Sequence, residues 1–573
     1  MSRPRGGGRH CEVSREEQRL LLGVERPIVI LKRRYDSTIA PSVAPYQQHT
    51  LGVRLPYSPL HHLLFQGSLG VLVMTSGNVS DEPIAYRDDE ARERLSRITD
   101  YFLLHNREIH IRCDDSAARV FEGRPIILRR SRGYVPFPIK LAASIEPILA
   151  CGAELKNAFC LTREPYAFVS HHIGDLENLK TLSSFEQGIE HFKRLFSIEP
   201  KGVGHDLHPD YLSKRYALAL GNLPKVAIQH HHAYIVSCMA ENGVSGRVIG
   251  VALDGTGLGT DDTLWGGDFL IADPREFRRV AHLKKVPIPG GSEAIKEPWR
   301  VAAVYLDEAF GEGWEKESTD GLGGIDLAKL KILRRMIDRR LNTPLTSNMG
   351  RLFDAVSALL SIRPEVHYEE QAGIELKAVA APQGNEPYPF ALQWKTEPMV
   401  IDPVETIRAV VNDLAMIGAV PSSLSLSLII EEGFHLNDLV QKMLEACPST
   451  HCLRDPTRGG LATTLNDIAA AMSNVNMVID EEKIPVRDSV RGICELLGLD
   501  PLYLANEGKL VAFVPEPAID PVLTVMKDHP LGKDAVLIGR VTGLYRPKVI
   551  LRTLIGGHRI LDMLSGMQYP RIC

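Results

Sequence analysis

VIGVALDGTGLGTDDTLWGGDFLI (residues 248–271) opens on an apolar run, breaks at a cluster of glycine, threonine and aspartate, and closes on a second apolar run. Short apolar runs bounded by turn signals predict buried strands, so this stretch is expected to be a strand, a Gly/Thr/Asp turn and a return strand. Asp254 falls at the end of the first strand, and Gly255 and Gly257 just after it would let a phosphate approach the backbone. Upstream lies QHHHAY (229–234). A helix that starts at His230 and stops at Gly243 places His230 and Tyr234 four apart on one face, where two side chains can grip one metal ion, with Asp254 as a further ligand. Taken alone, a histidine triplet is more often a surface or capping feature.

Composition narrows the classes. The 573 residues predict about three or four domains. Hydrophobic content of 44% and a net charge of −5 describe an ordinary globular chain and argue against nucleic-acid binding. The nine cysteines include no CxxC pair, which excludes a zinc finger of the usual spacing and predicts a reducing compartment. MSRPRGGGRHCEVSREEQ at the start lacks the apolar core of a signal peptide, and no run approaches the ~18 apolar residues needed to span a bilayer. A cytoplasmic protein with no membrane contact is expected.

Outward from the central stretch, alternating apolar strands and helical periods predict α/β units. Residues 27–34, 71–78 and 125–134 are expected strands, and Glu90 to Leu104 an amphipathic helix feeding a strand. A second unit opens at PILACGAELKNAFCL (147–161), with helices expected over 176–196, 211–220, 299–309, 327–342 and 349–360. A third contains LSLSLII (424–430), the turn RDPTRGG (454–460) before helix LATTLNDIAAAMS, and strands KLVAFV and AVLIGRV. Within the first unit Arg54, the turn Ser76-Gly77-Asn78 with Ser80, Asp114 to Ser116, and Arg129, Arg130 and Arg132 form a candidate anion site. Backbone N–H groups of such a turn and arginine forks both suit phosphate.

These stretches also occur in a familiar order. LGVRLPYSPLHHLL, VMTSGNVSDEPI, RCDDSAARV and ILRRSRGYVP resemble the YrdC-like domain of HypF, the carbamoyltransferase family of NiFe-hydrogenase maturation. The resemblance implies that this region binds ATP and a carbamoyl group as carbamoyl-adenylate. GAELKNAFCL, HIGDLENL, HDLHPDYLS, QHHHA, DGTGLGTDDTLWGGDF, KEPWR, TSNMGRLFDAVSALL and YEEQAGIEL are similar to the ASKHA-type (actin/Hsp70-like) carbamoyl-transfer domain of the same family. There the triplet continues HHHAH and its first and last histidines hold a metal. Here His230 and Asp254 carry over, and Tyr234 replaces the last histidine. A neutral phenol with a pKa of about 10 is a weak ligand near neutrality.

HCLRDPTRGGLATTLNDIA, YLANEGKLVAFV and VILRTLIGGHRILDMLSGMQYPRIC resemble the C-terminal half of HypE, a PurM-like ATP-dependent enzyme whose PRIC tail accepts the carbamoyl group. Cys573 matches that acceptor. A prenylation signal places its cysteine fourth from the end, which Cys573 is not, and Arg571 is placed to favour the nucleophilic thiolate.

The expected architecture is therefore α/β and α+β multidomain. It comprises a disordered 1–12, a YrdC-like twisted open sheet over 13–140, a partial ASKHA fold over 145–414, a remnant of the HypE ATP-binding half over 415–435, and a PurM C-terminal-like α+β domain over 436–573. The two family segments are each shorter than in the family, with a seam near 412–414. The resemblance implies an ATP-dependent carbamoyltransferase that uses carbamoyl phosphate and a divalent metal, magnesium or iron. Its implied partners are HypE or HypF and the HypC–HypD complex. A catalytically impaired scaffold, and a threonylcarbamoyl-type transferase acting on tRNA, are the alternatives.

Overall fold

A computed structural model describes residues 9–44, 48–66, 69–79, 82–311, 313–314, 327–380, 388–417, 437–454, 456, 459–471, 475–504, 509–530, 532–543 and 548–563. The first unit is a four-stranded sheet in the order Thr50–Val53, Ile28–Lys32, Ala117–Phe121, Arg124–Arg129, with only the central pair parallel. IVILK alternates, so Val29 and Leu31 turn inward and are fully buried. Helix Arg15–Leu22, started by a Ser14/Glu17 capping box, lays Leu21 over them. Three expectations change here. Cys11 was assigned to a disordered tail, but it bridges to Arg33 and lies in this core, where burial pushes its thiol up to about 11. Residues 71–76 form no strand, because they pair with none of the four strands and a strand needs a ladder partner for its backbone; Val73 and Met74 stand exposed. The helix expected over 90–104 is Asp88–Leu95, and no strand follows it before Ala117.

The second and third sheets belong to one body. The six-stranded sheet runs Lys225–Ile228, Gly202–Asp206, Ile148–Ala150, Cys160–Arg163, Tyr166–Val169, Ile139–Lys140, covered by helix Leu179–Phe196, whose Phe185, Ile189 and Phe192 pack on Phe159. The seven-stranded sheet is built on the hairpin Val248–Leu258 and Leu264–Ala272. Its core is helix Trp299–Phe310 against helix Met349–Leu359. The C-terminal unit has a four-stranded sheet, Gly539–Gly543, Val475–Asp480, Val549–Arg552, His558–Leu561, beneath helix Gly460–Ala471, and a separate pair Cys452–Arg454 with Val511–Phe513. LSLSLII lies outside the described residues.

The C-terminal unit is docked through specific groups. Ile560 joins the core of the six-stranded unit, and its N–H donates to the Glu177 carbonyl at 2.8 Å. The buried Arg300 guanidinium donates to the Glu495 carbonyl at 2.9 Å and to that of Leu496, and Asn342 donates to the carbonyls of Leu497 and Gly498, both at 2.9 Å. These are the last carbonyls of helix Asp488–Leu497, where a cation and a donor also complement the helix dipole.

A buried carboxylate ties all three units. Glu82 accepts from Arg94 at 2.7 Å and Lys180 at 3.3 Å, and His558 lies 3.5 Å away. Burial opposes its charge, yet the neighbouring His558 imidazole, Lys180 and Arg94 together hold its pKa down to about 2, from an ordinary 4.5. The folded value is the lower one, so this stabilisation is complete above pH 4.5 and is lost as pH falls toward 2. Glu82→Gln is expected to cost roughly 2–3 kcal/mol at pH 7, and the gap from the parent protein in urea unfolding should close as pH drops through that window. A gap independent of pH would refute the charge argument.

Candidate functional site

The two halves of the central body meet at a cluster of imidazoles and carboxylates. Helix His230–Glu241 begins where expected: Gln229 caps it by accepting from the His232 N–H at 2.8 Å, and Gly243 follows its end with φ +63°. All three histidines are buried, unlike a surface triplet. The first strand of the hairpin runs on through Leu258, so Asp254 does not sit at a turn. Pairing passes from Leu253 opposite Gly267 to Gly257 opposite Trp265, leaving Asp254, Gly255 and Thr256 as a bulge. Bulges re-aim side chains, and this one turns Asp254 toward the helix start.

His230 Nδ1–H donates to Asp206 Oδ2 at 2.8 Å, and its Nε2 is buried without a hydrogen bond, 3.6 Å from Asp254 Oδ2. Burial disfavours the imidazolium, but the Asp206 bond and charge and the Asp254 charge outweigh it and raise the His230 pKa; the same bond holds buried Asp206 below the usual carboxylate range. His231 Nε2–H donates to Asp254 Oδ2 at 3.2 Å while its Nδ1 accepts from Gln229 at 3.1 Å. Tyr234 lies beside His230 with ring centroids 4.5 Å apart, but it is 40% exposed. Among the described residues no group of three His, Cys, Asp or Glu side chains is disposed to hold a metal. The donor set is therefore a pair, His230 Nε2 and Asp254, and the orphaned buried nitrogen fits a ligand role.

Gly255 and Gly257 have separate tasks. The first turn of helix Met349–Leu359 closes on Gly255, so that a Cβ on Gly350 would stand 3.0 Å from its Cα. Beside this helix start Asn348 Nδ2 and the Nε and Nη1 of Arg351 are buried without hydrogen bonds, and Arg351 meets Asp354 at 2.9 Å. Those donors, with a helix N-terminus, suit an anion. Gly257 instead admits the imidazoles: a Cβ there would lie 2.6 Å from His231 Cε1 and 3.0 Å from His230 Cδ2. Gly257→Ala is expected to push the rings aside and so to move the His230 and His231 ring resonances; resonances unchanged from the parent protein would show that ring placement does not depend on this glycine.

In the first unit the expected constellation divides. Arg54 and Arg132 both pair with Asp115, the latter at 2.7 Å, and both lie over the Tyr57 ring, at 4.9 and 3.5 Å. Ser76 donates to Asn78 Oδ1 at 2.6 Å and Asn78 to the Val79 and Glu82 carbonyls at 3.1 Å, so this turn is closed on itself; Gly77 faces Leu95. Arg130 donates to the Tyr134 and Phe137 carbonyls at 3.2 and 2.7 Å, and Arg129 ends its strand near Asp114. The strand ends at Arg129, so Arg130 and Arg132 take separate paths beyond it, and Arg132 shares Asp115 and the Tyr57 ring with Arg54. Ser80 and Cys573 lie outside the described residues. The sequence reading passed over Asp206, His231 and Arg351. HDLHPD (205–210) carried the signal for Asp206, but only the parallel pairing of Gly202–Asp206 with Lys225–Ile228 brings it to His230.

Comparison with known proteins gives consecutive matches. Profiles described as telomere recombination (the Sua5, YciO and YrdC group), HypF Kae1-like domain, carbamoyltransferase Kae1-like domain second subdomain, and AIR synthase related protein C-terminal domain match residues 8–131, 143–241, 250–437 and 425–552. Carbamoyltransferase HypF2 of Cupriavidus necator is 44% identical over 401 residues, 66% of this chain and 49% of that protein. Carbamoyltransferase HypF of Synechocystis is 36% identical over 419 residues, 70% and 54%. Carbamoyl dehydratase HypE of Cupriavidus necator is 56% identical over 138 residues, 24% and 39%. A crystal structure of full-length HypF in a phosphate- and nucleotide-bound form superposes with a TM-score of 0.68 at 44% identity, over 73% of this chain and 54% of that one. The chain spans about half the length of the HypF relatives it matches.

Proposed function

We propose that this chain, which joins HypF-type carbamoyltransferase segments to a HypE-type C-terminal segment, transfers an activated carbamoyl group onto its own Cys573 during maturation of NiFe hydrogenases. The observation that carries the reading is the His230 ring, fixed by Asp206 through Nδ1 and bare at Nε2 beside Asp254. A carboxylate on the far nitrogen orients such a ring and raises its basicity.

ATP is the activating nucleotide in this reading, supported by the nucleotide-bound state named for the solved HypF. Carbamate derived from carbamoyl phosphate attacks the ATP α-phosphorus and pyrophosphate leaves. Arg54 and Arg132 supply the cationic contacts for the phosphates, which compete with Asp115 for the two guanidinium groups. In the central body the buried donors of Asn348 and Arg351 hold the adenylate phosphate near the Asp254 bulge. A divalent ion on His230 and Asp254 would polarise the carbamoyl oxygen. The Cys573 thiolate attacks the carbonyl carbon; the C–S bond forms, the C–O bond breaks and AMP leaves. The described chain ends at Met563, whose carbonyl accepts from Arg215. That arginine also lies 4.0 Å from Asp210, on the segment that follows the Asp206 strand.

HypE-type chemistry then dehydrates the thiocarbamate, with HypE, HypF and a HypC–HypD complex as partners. The test is ATP-dependent retention of carbon-14 from carbamoyl phosphate on the purified chain. A scaffold without turnover is the second reading, favoured by Tyr234 at the third ligand place and by Asp115 closing the two arginines; a folded chain that never takes up label selects it.

A further inference from the structure

A second cavity lies away from both arrangements. It is a cavity of about 530 Å³ between the segment 110–112 and the outer face of helix Leu179–Phe196. None of Arg54, Asp115, Arg132, His230 or Asp254 lines it. Arg112 and His171 do, and they are only 9% and 5% exposed. Neither the guanidinium nor the imidazole makes a hydrogen bond or ion pair with another described residue. The carboxylates of Asp114 and Glu90 lie close enough to favour the Arg112 charge without bonding it, so its N–H groups remain available to a ligand in the cavity.

We propose that this cavity binds a phosphate-bearing small molecule, with the phosphate on Arg112 and His171. The guanidinium fork offers two parallel N–H groups to phosphate oxygens and the His171 ring a third donor. Arg194 and the pair His110 and His191, tilted against each other with centroids 5.2 Å apart, continue the lining. Glu190 on the same wall is engaged by Lys193 at 3.3 Å, which reduces its repulsion of an anion. Burial, then the Arg112 charge, pushes the His171 pKa down to about 4, so an ammonium or metal-like charge is already disfavoured there and an anion relieves the excess. The volume falls in the range of small-molecule sites and leaves room for an organic group of nucleoside size beyond the phosphate.

Equilibrium dialysis of the full chain with labelled inorganic phosphate, and separately with AMP, tests the assignment. Arg112→Gln is expected to weaken one class of bound phosphate tenfold or more, Arg112→Lys to restore part of it, and Asp254→Asn and Arg54→Gln to leave that class intact. AMP held more tightly than phosphate identifies an organic occupant, and equal affinity identifies free phosphate; both support the site. Unchanged phosphate binding in Arg112→Gln overturns it. Should that variant not fold, the histidine ring resonances of the parent protein decide. A signal absent from His171→Asn must move on adding phosphate, and a stationary signal overturns the proposal.

Discussion

Cys573→Ser is expected to abolish carbamoyl labelling of the chain, while the parent protein with ATP and carbamoyl phosphate gains about 43 Da on its C-terminal peptide. The size of the effect follows from the chemistry. A serine hydroxyl is almost wholly protonated near neutrality, whereas a cysteine offers a few per cent thiolate and a far better nucleophile. Among the described thiols, Cys447, held below its ordinary value by the Ser449 hydroxyl, and the exposed Cys238 are the competitors that peptide mapping must exclude. Cys11, Cys151 and Cys160 are pushed by burial to about 11, 12 and 12, and burial also raises Cys113 and Cys494. Placing donor sites and acceptor on one chain raises the effective thiol concentration, so labelling should be independent of protein concentration. Label persisting in Cys573→Ser, or an adduct mapped to another peptide, would remove the acceptor role.

His230→Ala carries the second large effect, a fall in transfer of at least about 100-fold. It removes the bare Nε2 and also leaves Asp206 buried without its partner, which should cost roughly 3–5 kcal/mol of stability. The two consequences separate in a cycle. Adding Asp206→Asn should recover much of the stability, because the uncompensated charge is gone, yet recover no activity. Asp206→Asn alone should keep the ring but lose its orientation, with transfer and metal affinity reduced about 10–100-fold. Activity returning with stability in the double variant would mean that His230 acts only as a structural partner of Asp206.

Local readings succeeded where a single element carries the signal. The start of the His230 helix follows from a capping side chain and its stop from a glycine, both set by nearest neighbours. The hairpin over 248–271 follows from apolar runs interrupted by glycine, although its turn lies later than the glycines suggest. Arg54 with Arg132 was legible as part of a basic cluster, but not that Asp115 would join them or that Arg130 would be spent on backbone carbonyls. Segment order likewise announced the two families, because long ordered motifs survive as linear text.

What the sequence determined by itself was most of the element inventory, the consecutive family segments and two chemical types at the site, an imidazole and a carboxylate. Tertiary structure alone decided which of them meet. A bulge at Asp254, Gly255 and Thr256 turns Asp254 toward His230, a parallel strand pairing delivers Asp206 to the far nitrogen, and Arg112 with His171 lines a cavity that no motif marks. Register, burial and charge pairing are properties of chain segments far apart in sequence, so their energies exist only once the fold has brought those segments together.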